Sequence, residues 1–296
     1  MDIDKLLSLG SQLSLFLMVL ATGMAAQHGE ATALLRQPAL LVRSVVAMQV
    51  LAPVVAVLLA TRFSVDPVVG IALVALATGP VPPFLPRKEL GVNGERSYVV
   101  SVLATSALLS VITVPVTLSL LSDVFGLPLL LAPLALAKVL LVGVVVPLAV
   151  GLVLARVAPA FSATWAWPIG AASAVVLGLA TLPQLVAMLP AFTTLAAGGA
   201  LIVMATYAAF TLIIGHVLGG TEPEHRRALA LSTATRHPGI AIALVSANFT
   251  DLPLAVPAVL LLVLVSALAT APYVAMTRRR HAQPDAGGAQ LHPPPR

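Results

Sequence analysis

Apolar positions run along this chain in stretches of about 20 residues or more, the length needed to cross a hydrocarbon layer. Short clusters of proline, glycine or charge part them. The stretches fall at about 6–26, 39–60, 66–86, 97–121, 128–154, 165–188, 192–218, 226–249 and 254–276. They predict an all-α polytopic membrane protein with about nine transmembrane helices. All nine belong to one transmembrane domain over residues 1–277. From Arg278 the chain turns basic, then rich in Gly, Pro and Ala without periodicity, which predicts a disordered cytoplasmic tail over 278–296.

Two of the apolar stretches are interrupted. Residues 77–87, ATGPVPPFLPR, hold Pro80, Pro82, Pro83 and Pro86, which no continuous helix accommodates. Residues 228–249, ALALSTATRHPGIAIALVSANF, break at Thr235, Arg236, His237, Pro238 and Gly239. Pro238 has no N–H to continue a helix, and Gly239 adds backbone freedom. Backbone groups freed at membrane depth must face protein or a wet cavity. Interrupted segments at matching positions of two halves predict inverted repeats, with two broken crossing helices and a site at the midplane.

Composition strengthens the membrane reading: the chain is 59% hydrophobic and 9% charged, against about 25% charged in ordinary globular chains. The net charge of +5 sits at span ends, so it reads as topology and not as a nucleic-acid surface. Arg36, Arg43, Arg87, Lys88, Arg96, Arg156, Arg226, Arg227 and Arg278 to Arg280 fall on one side; Lys5 and Arg62 fall on the other. That bias predicts an inner-membrane protein with its N-terminus outside and its C-terminus cytoplasmic. The start, MDIDKLLSLG, is acidic and lacks a small-residue cleavage site, so it does not read as a removable signal. There is no cysteine, which excludes disulfides, thiolate metal sites and cysteine nucleophiles.

Every Asp and Glu can be assigned to a loop, a terminus or a span end, leaving Lys138, Arg236 and His237 as the ionisable groups at depth. An intramembrane arginine marks function by default, and Arg236 has no evident counter-ion. Two readings stay open for it: a bidentate partner for a substrate carboxylate or sulfonate, or a cap on carbonyls freed at the break. His237 is either a neutral hydrogen-bonding group beside the arginine or a proton-coupling one. Ser232, Thr233 and Thr235 either bind substrate or bond back to their own helix. Lys138 reads as snorkelling, His216 as interfacial and Trp165 and Trp167 as interface anchors; Gly23 and Met24 read as packing positions. An intramembrane enzyme would need a nucleophile with an oriented base, or a metal. With no cysteine, no acid at depth and no pair of histidines at ligand spacing, the chain offers poor materials for either, and no catalytic residue, metal site or cofactor is expected. A ligand-responsive sensor or a passive pathway remains as an alternative.

Five stretches carry a family resemblance: LATGMAAQHGEATALLRQPALL from Leu20, MQVLAP from Met48, ATGPVPP from Ala77, SVLATSALLSVITVP from Ser101, and ALSTATRHPGIAIAL from Ala230. In order and spacing they resemble the bile acid:sodium symporter family, in its nine-helix form. The resemblance implies interleaved panel and core subdomains, with two broken helices crossing in the core, at Pro82, Pro83, Pro238 and Gly239 here. It also implies departures. The family's sodium-coordinating Glu and Gln fall on Ser232 and Arg236, its Asn on His237, and its Ser-Asn pair near Phe84 and Leu85. Gln49, Thr233, Ser101 and Thr105 are retained, the last two on one helix face. A guanidinium repels a hard cation, and no acid offsets it. The resemblance with these departures implies secondary active transport of a small organic anion by alternating access, with sodium coupling disfavoured. A sodium symporter using backbone ligands is the alternative. The partners expected are the anion and the lipid bilayer, with no nucleic acid, in a monomer or a homodimer.

Overall fold

The computed structural model describes residues 3–27, 29–63, 66–82, 95–125 and 133–282, and within these the chain is helical with no strand. Helix α1 (Ile3–Ala25) is followed by a 3₁₀ segment (Glu30–Arg36), the two lying at 71° to each other. Helix α2 (Pro38–Arg62) starts where Gln37 leaves the helical region, as a residue before proline tends to do. It carries a π-helical turn at Val46–Leu51, just before Pro53. Helix α5 (133–157) repeats the device, with a π turn at Leu141–Val145 before Pro147. Proline cannot donate to the carbonyl four residues back and its ring collides with it; one widened turn relieves the collision without breaking the helix.

The remaining helices are α3 (Pro67–Thr78), α4 (Arg96–Phe125), α6 (Pro159–Ala187), α7 (Leu189–Ala197), α8 (Ala200–Leu218), α9 (Pro223–Ala234), α10 (Pro238–Asn248) and α11 (Ala255–Ala282). Among the described residues, seven helices or helix pairs are long and apolar enough to cross a membrane, α9 with α10 counting as one, and the bent pair of α1 and the 3₁₀ segment makes an eighth. Large apolar side chains such as Trp165, Trp167, Val175 and Leu179 stand exposed along α6, where hydrocarbon and headgroups would cover them.

Two predicted spans differ. The third, expected over 66–86, is helical over the 12 residues of α3, about 18 Å at 1.5 Å per residue. The chain then runs without helix through Gly79–Pro82; Pro83, Phe84, Leu85 and Pro86 lie outside the described residues. The seventh, expected over 192–218, is split into α7 and α8 at Gly198 and Gly199, where Gly199 adopts φ 78°. A left-handed glycine ends a helix regardless of how apolar its flanks are. The tail expected to be disordered over 278–296 is helical as far as Ala282, where α11 ends, and lies outside the described residues from 283 onward.

Helix α1 packs against α5 and α6. At its crossing with α5 a Cβ on Gly23 would come within 2.6 Å of the Leu148 carbonyl oxygen, so the two backbones nearly touch there. The other helices gather around α3, which is buried from Val68 to Thr78 on every face, as expected of a helix that is apolar all round. Helices α2, α10 and α11 pack on it, and α8 lies against α9, α11 and the π turn of α2.

Near one end of the helices, Glu95 accepts from the Ser97 hydroxyl and pairs with His225 Nε2 at 2.5 Å, fastening the start of α4 to the start of α9. The Tyr98 ring lies 4.6 Å from the His225 ring, and its hydroxyl meets Ser44 Oγ on α2 at 2.8 Å. The Ser97 hydroxyl, more than any other neighbour, holds the Glu95 carboxyl below its ordinary 4.5, with His225 adding to it against the opposing effect of burial. A carboxyl depressed in the folded state stabilises the fold fully above its unfolded pKa and loses that contribution as pH falls through the folded value. The detergent-solubilised protein is therefore expected to lose Tm below about pH 4.5, and Glu95→Gln to flatten that loss, read by a thermal-unfolding series from pH 7 to pH 3.5. Equal slopes in the two proteins would remove this fastening from the account.

Candidate functional site

The two interrupted segments meet. Gly79–Pro82 leaves the end of α3 without helix, Gly79 itself extended, and Thr235–His237 joins α9 to α10 with Thr235 and His237 extended. The His237 N–H donates to the Pro80 carbonyl at 2.9 Å, a single sheet-like bond between the two breaks. Proline explains how the first segment lies buried without orphaned donors. Pro80 and Pro82 have no N–H, Gly79 N–H donates to Leu76 at 3.1 Å, and Val81 N–H donates to Ser106 Oγ on α4 at 2.9 Å. In the second segment Thr235 N–H still reaches Leu231 at 2.9 Å. His237 Nδ1 accepts from the Ile240 N–H at 3.3 Å, which caps α10 and leaves the ring proton to Nε2.

Arg236 joins the segments from the inside. It is 2% exposed, and Nη1 donates to the Gly79 carbonyl at 3.3 Å while Nη2 donates to the Met48 carbonyl in the π turn of α2. Both acceptors are carbonyls that lost or loosened their helical partner, Gly79 because α3 ends there and Met48 because the turn is widened. Arg236 from the second break thus satisfies the first break and the π turn together. Its partners are main-chain oxygens, and no described carboxylate lies against it.

The other sequence candidates divide. Pro82 is buried beside Val81, and Pro238 and Gly239 open α10; Pro83 lies outside the described residues. Gln49 is buried next to Met48; its Oε1 accepts from Thr113 at 3.2 Å and its Nε2 has no partner. Thr233 bonds back to Leu229 at 2.7 Å, and Ser101 to Ser97 at 2.7 Å, so both hydroxyls serve their own helices. Ser232 is fully buried on α9, and Thr235 and Thr105 are partly buried. On α4 it is Ser106, not Ser101 or Thr105, whose hydroxyl reaches the crossing segment. Lys138 is exposed on α5, and His216 Nδ1 meets the Tyr273 hydroxyl at 2.8 Å on α11.

Sequence reasoning missed Ser106 and Tyr207. Tyr207 is wholly buried on α8, its hydroxyl has no partner, and it lies within electrostatic reach of Arg236. A signal existed for each: a phenol in the middle of an apolar stretch, and a buried N–H at Val81 that needed an acceptor.

A separate cavity of about 670 Å³ opens where α1, the 3₁₀ segment, α4 and α5 end. Gln27, Glu30, Arg36, Ser97 and Arg156 line it among small apolar residues. Glu30 is already engaged by Arg96 Nε at 2.9 Å and by the Gln27 N–H at 2.7 Å, so Arg36 and Arg156 supply its remaining charge.

A polytopic bundle in which two interrupted segments meet at a buried charge is the architecture of a membrane transporter. A family model, the Sodium Bile acid symporter family, matches residues 12–191, and the chain belongs to that family, one of transporters of the symporter type. The match takes in the first break and stops at residue 191, before Tyr207 on α8 and Arg236 between α9 and α10. No curated protein matches the chain at a significant level.

Proposed function

We propose that the protein is a secondary active transporter of a small organic anion, working by alternating access around the crossing at Arg236. One observation carries this reading: a buried arginine ties both breaks together and has no described acid beside it. A charge at that depth is expensive unless it is compensated, and an anionic substrate supplies the missing charge. The basic bias of the loops supports an inner-membrane location with the N-terminus outside and the C-terminus cytoplasmic. On that orientation the cavity lined by Arg36 and Arg156 opens to the cytoplasm and attracts anions to it. Sodium coupling is disfavoured, because the guanidinium already donates to main-chain oxygens that a hard cation would need, and repels the cation as well.

A second reading has an observation of its own. Both terminal nitrogens of Arg236 are held by carbonyls, which suits a purely structural cap. Uptake into proteoliposomes of equal concentrations of singly charged organic anions, organic cations and neutral amides separates the two. Saturable uptake confined to the anions is expected. Uptake without charge preference would leave Arg236 as a cap and remove the anion from the proposal.

A further inference from the structure

Arg236 uses two of its three nitrogens on carbonyls, and the third, Nε, is buried with no partner. The Tyr207 hydroxyl is in the same state, fully buried, unpartnered and within electrostatic reach of the guanidinium. Helix α8 brings it there by packing on α9 and on the π turn of α2. Gln49 Nε2, one residue beyond the carbonyl that Arg236 takes, is also buried and unpartnered. Buried donors are nearly always satisfied, and a buried tyrosine hydroxyl usually finds an acceptor. Three N–H or O–H donors on three elements are thus left over: one on the guanidinium, one on a phenol within its field, and one on the residue after the carbonyl it binds. What all three lack is an acceptor, and beside an uncompensated guanidinium the acceptor that also balances charge is an anionic oxygen.

We infer that Tyr207 and Arg236, flanked by Gln49, bind the singly charged oxyanion head of the substrate, a carboxylate or sulfonate. This rests on the anion-transport reading and deepens it. The Tyr207 O–H and Arg236 Nε–H donate to the head while Nη1 and Nη2 stay on Gly79 and Met48, so the guanidinium binds substrate and fastens the crossing at once. One arginine without an acid balances one negative charge. A second charge on the head or on a group beside it would be buried without compensation, so dianions are excluded.

The test is a thermal-shift titration of the detergent-solubilised full chain with benzoate, phthalate and neutral benzamide. Benzoate should stabilise saturably, and the other two should not. Tyr207→Phe removes one oxygen and keeps the ring, so the fold is retained; it should raise the half-saturating benzoate concentration about tenfold or more, as loss of a hydrogen bond to a charged group does. Its Tm without ligand should stay within a few degrees of the parent, which separates binding from packing. An identical benzoate titration in Tyr207→Phe, or equal stabilisation by phthalate, overturns the assignment, as does a wild-type protein that benzoate leaves unchanged. Binding is read here without transport. Failure of this titration beside intact anion uptake removes this site alone, and intact binding without any anion uptake removes the transport reading alone.

Discussion

Arg236→Ala is expected to abolish saturable anion uptake while the protein stays in the membrane. The substitution removes the buried charge and, with it, the donors to Gly79 and Met48. Each orphaned carbonyl costs about 1–3 kcal/mol, enough to loosen the crossing but not to extract seven long apolar helices from lipid. Arg236→Lys keeps the charge and loses the planar fork, so one ammonium must choose between two carbonyls on different elements. It is expected to retain a small part of the uptake. The measurement is initial uptake rate per membrane-inserted protein for the three chains. Parental uptake by the alanine variant would reduce Arg236 to a cap.

Gly215→Ala is expected to be nearly as damaging, although it lies far from Arg236 in sequence. A Cβ at Gly215 would sit 2.4 Å from the Leu229 carbonyl oxygen and 2.6 Å from the Ala230 Cα on α9. Both are backbone atoms, so no side chain can turn aside; α9 itself must move outward. That helix ends at Ala234, directly before the segment that delivers Arg236. Overpacking of this kind costs about 1–3 kcal/mol, and the displacement falls on the fork that spans Gly79 and Met48. Reduced Tm together with reduced anion uptake is the expected pair of results. Gly143→Ala, whose added Cβ meets nothing within 4 Å, is the matched control and should change neither. Wild-type uptake in Gly215→Ala would show that the position of α9 does not govern the site.

Much of this was legible in the sequence, because membrane helices follow from run length. The positions of both breaks were legible too, since Pro80, Pro82 and Pro238 act through missing N–H groups wherever they stand. Arg236 stood out because a lone cation at depth is costly. What the breaks would bind was not legible. That Arg236 of the second break reaches Gly79 of the first, 157 positions away, is a fact of tertiary packing. Ser106 was passed over for Ser101 and Thr105 because both of those lie on the face the resemblance indicated, whereas helix rotation turns Ser106 toward Val81. Tyr207 was overlooked because a phenol inside an apolar run reads as core until its hydroxyl is found without a partner. The split at Gly198 and Gly199 was hidden by its flanks, which are apolar enough to look continuous.

The central claim is that Arg236 is a fixed cation serving an anion where a mobile one would otherwise be needed. The most direct test is anion uptake into proteoliposomes with all sodium, inside and out, replaced by choline. Uptake at the rate seen in sodium is the expected result. Uptake that vanishes in choline and returns with sodium would contradict it, and would place a sodium ion on backbone oxygens beside the guanidinium.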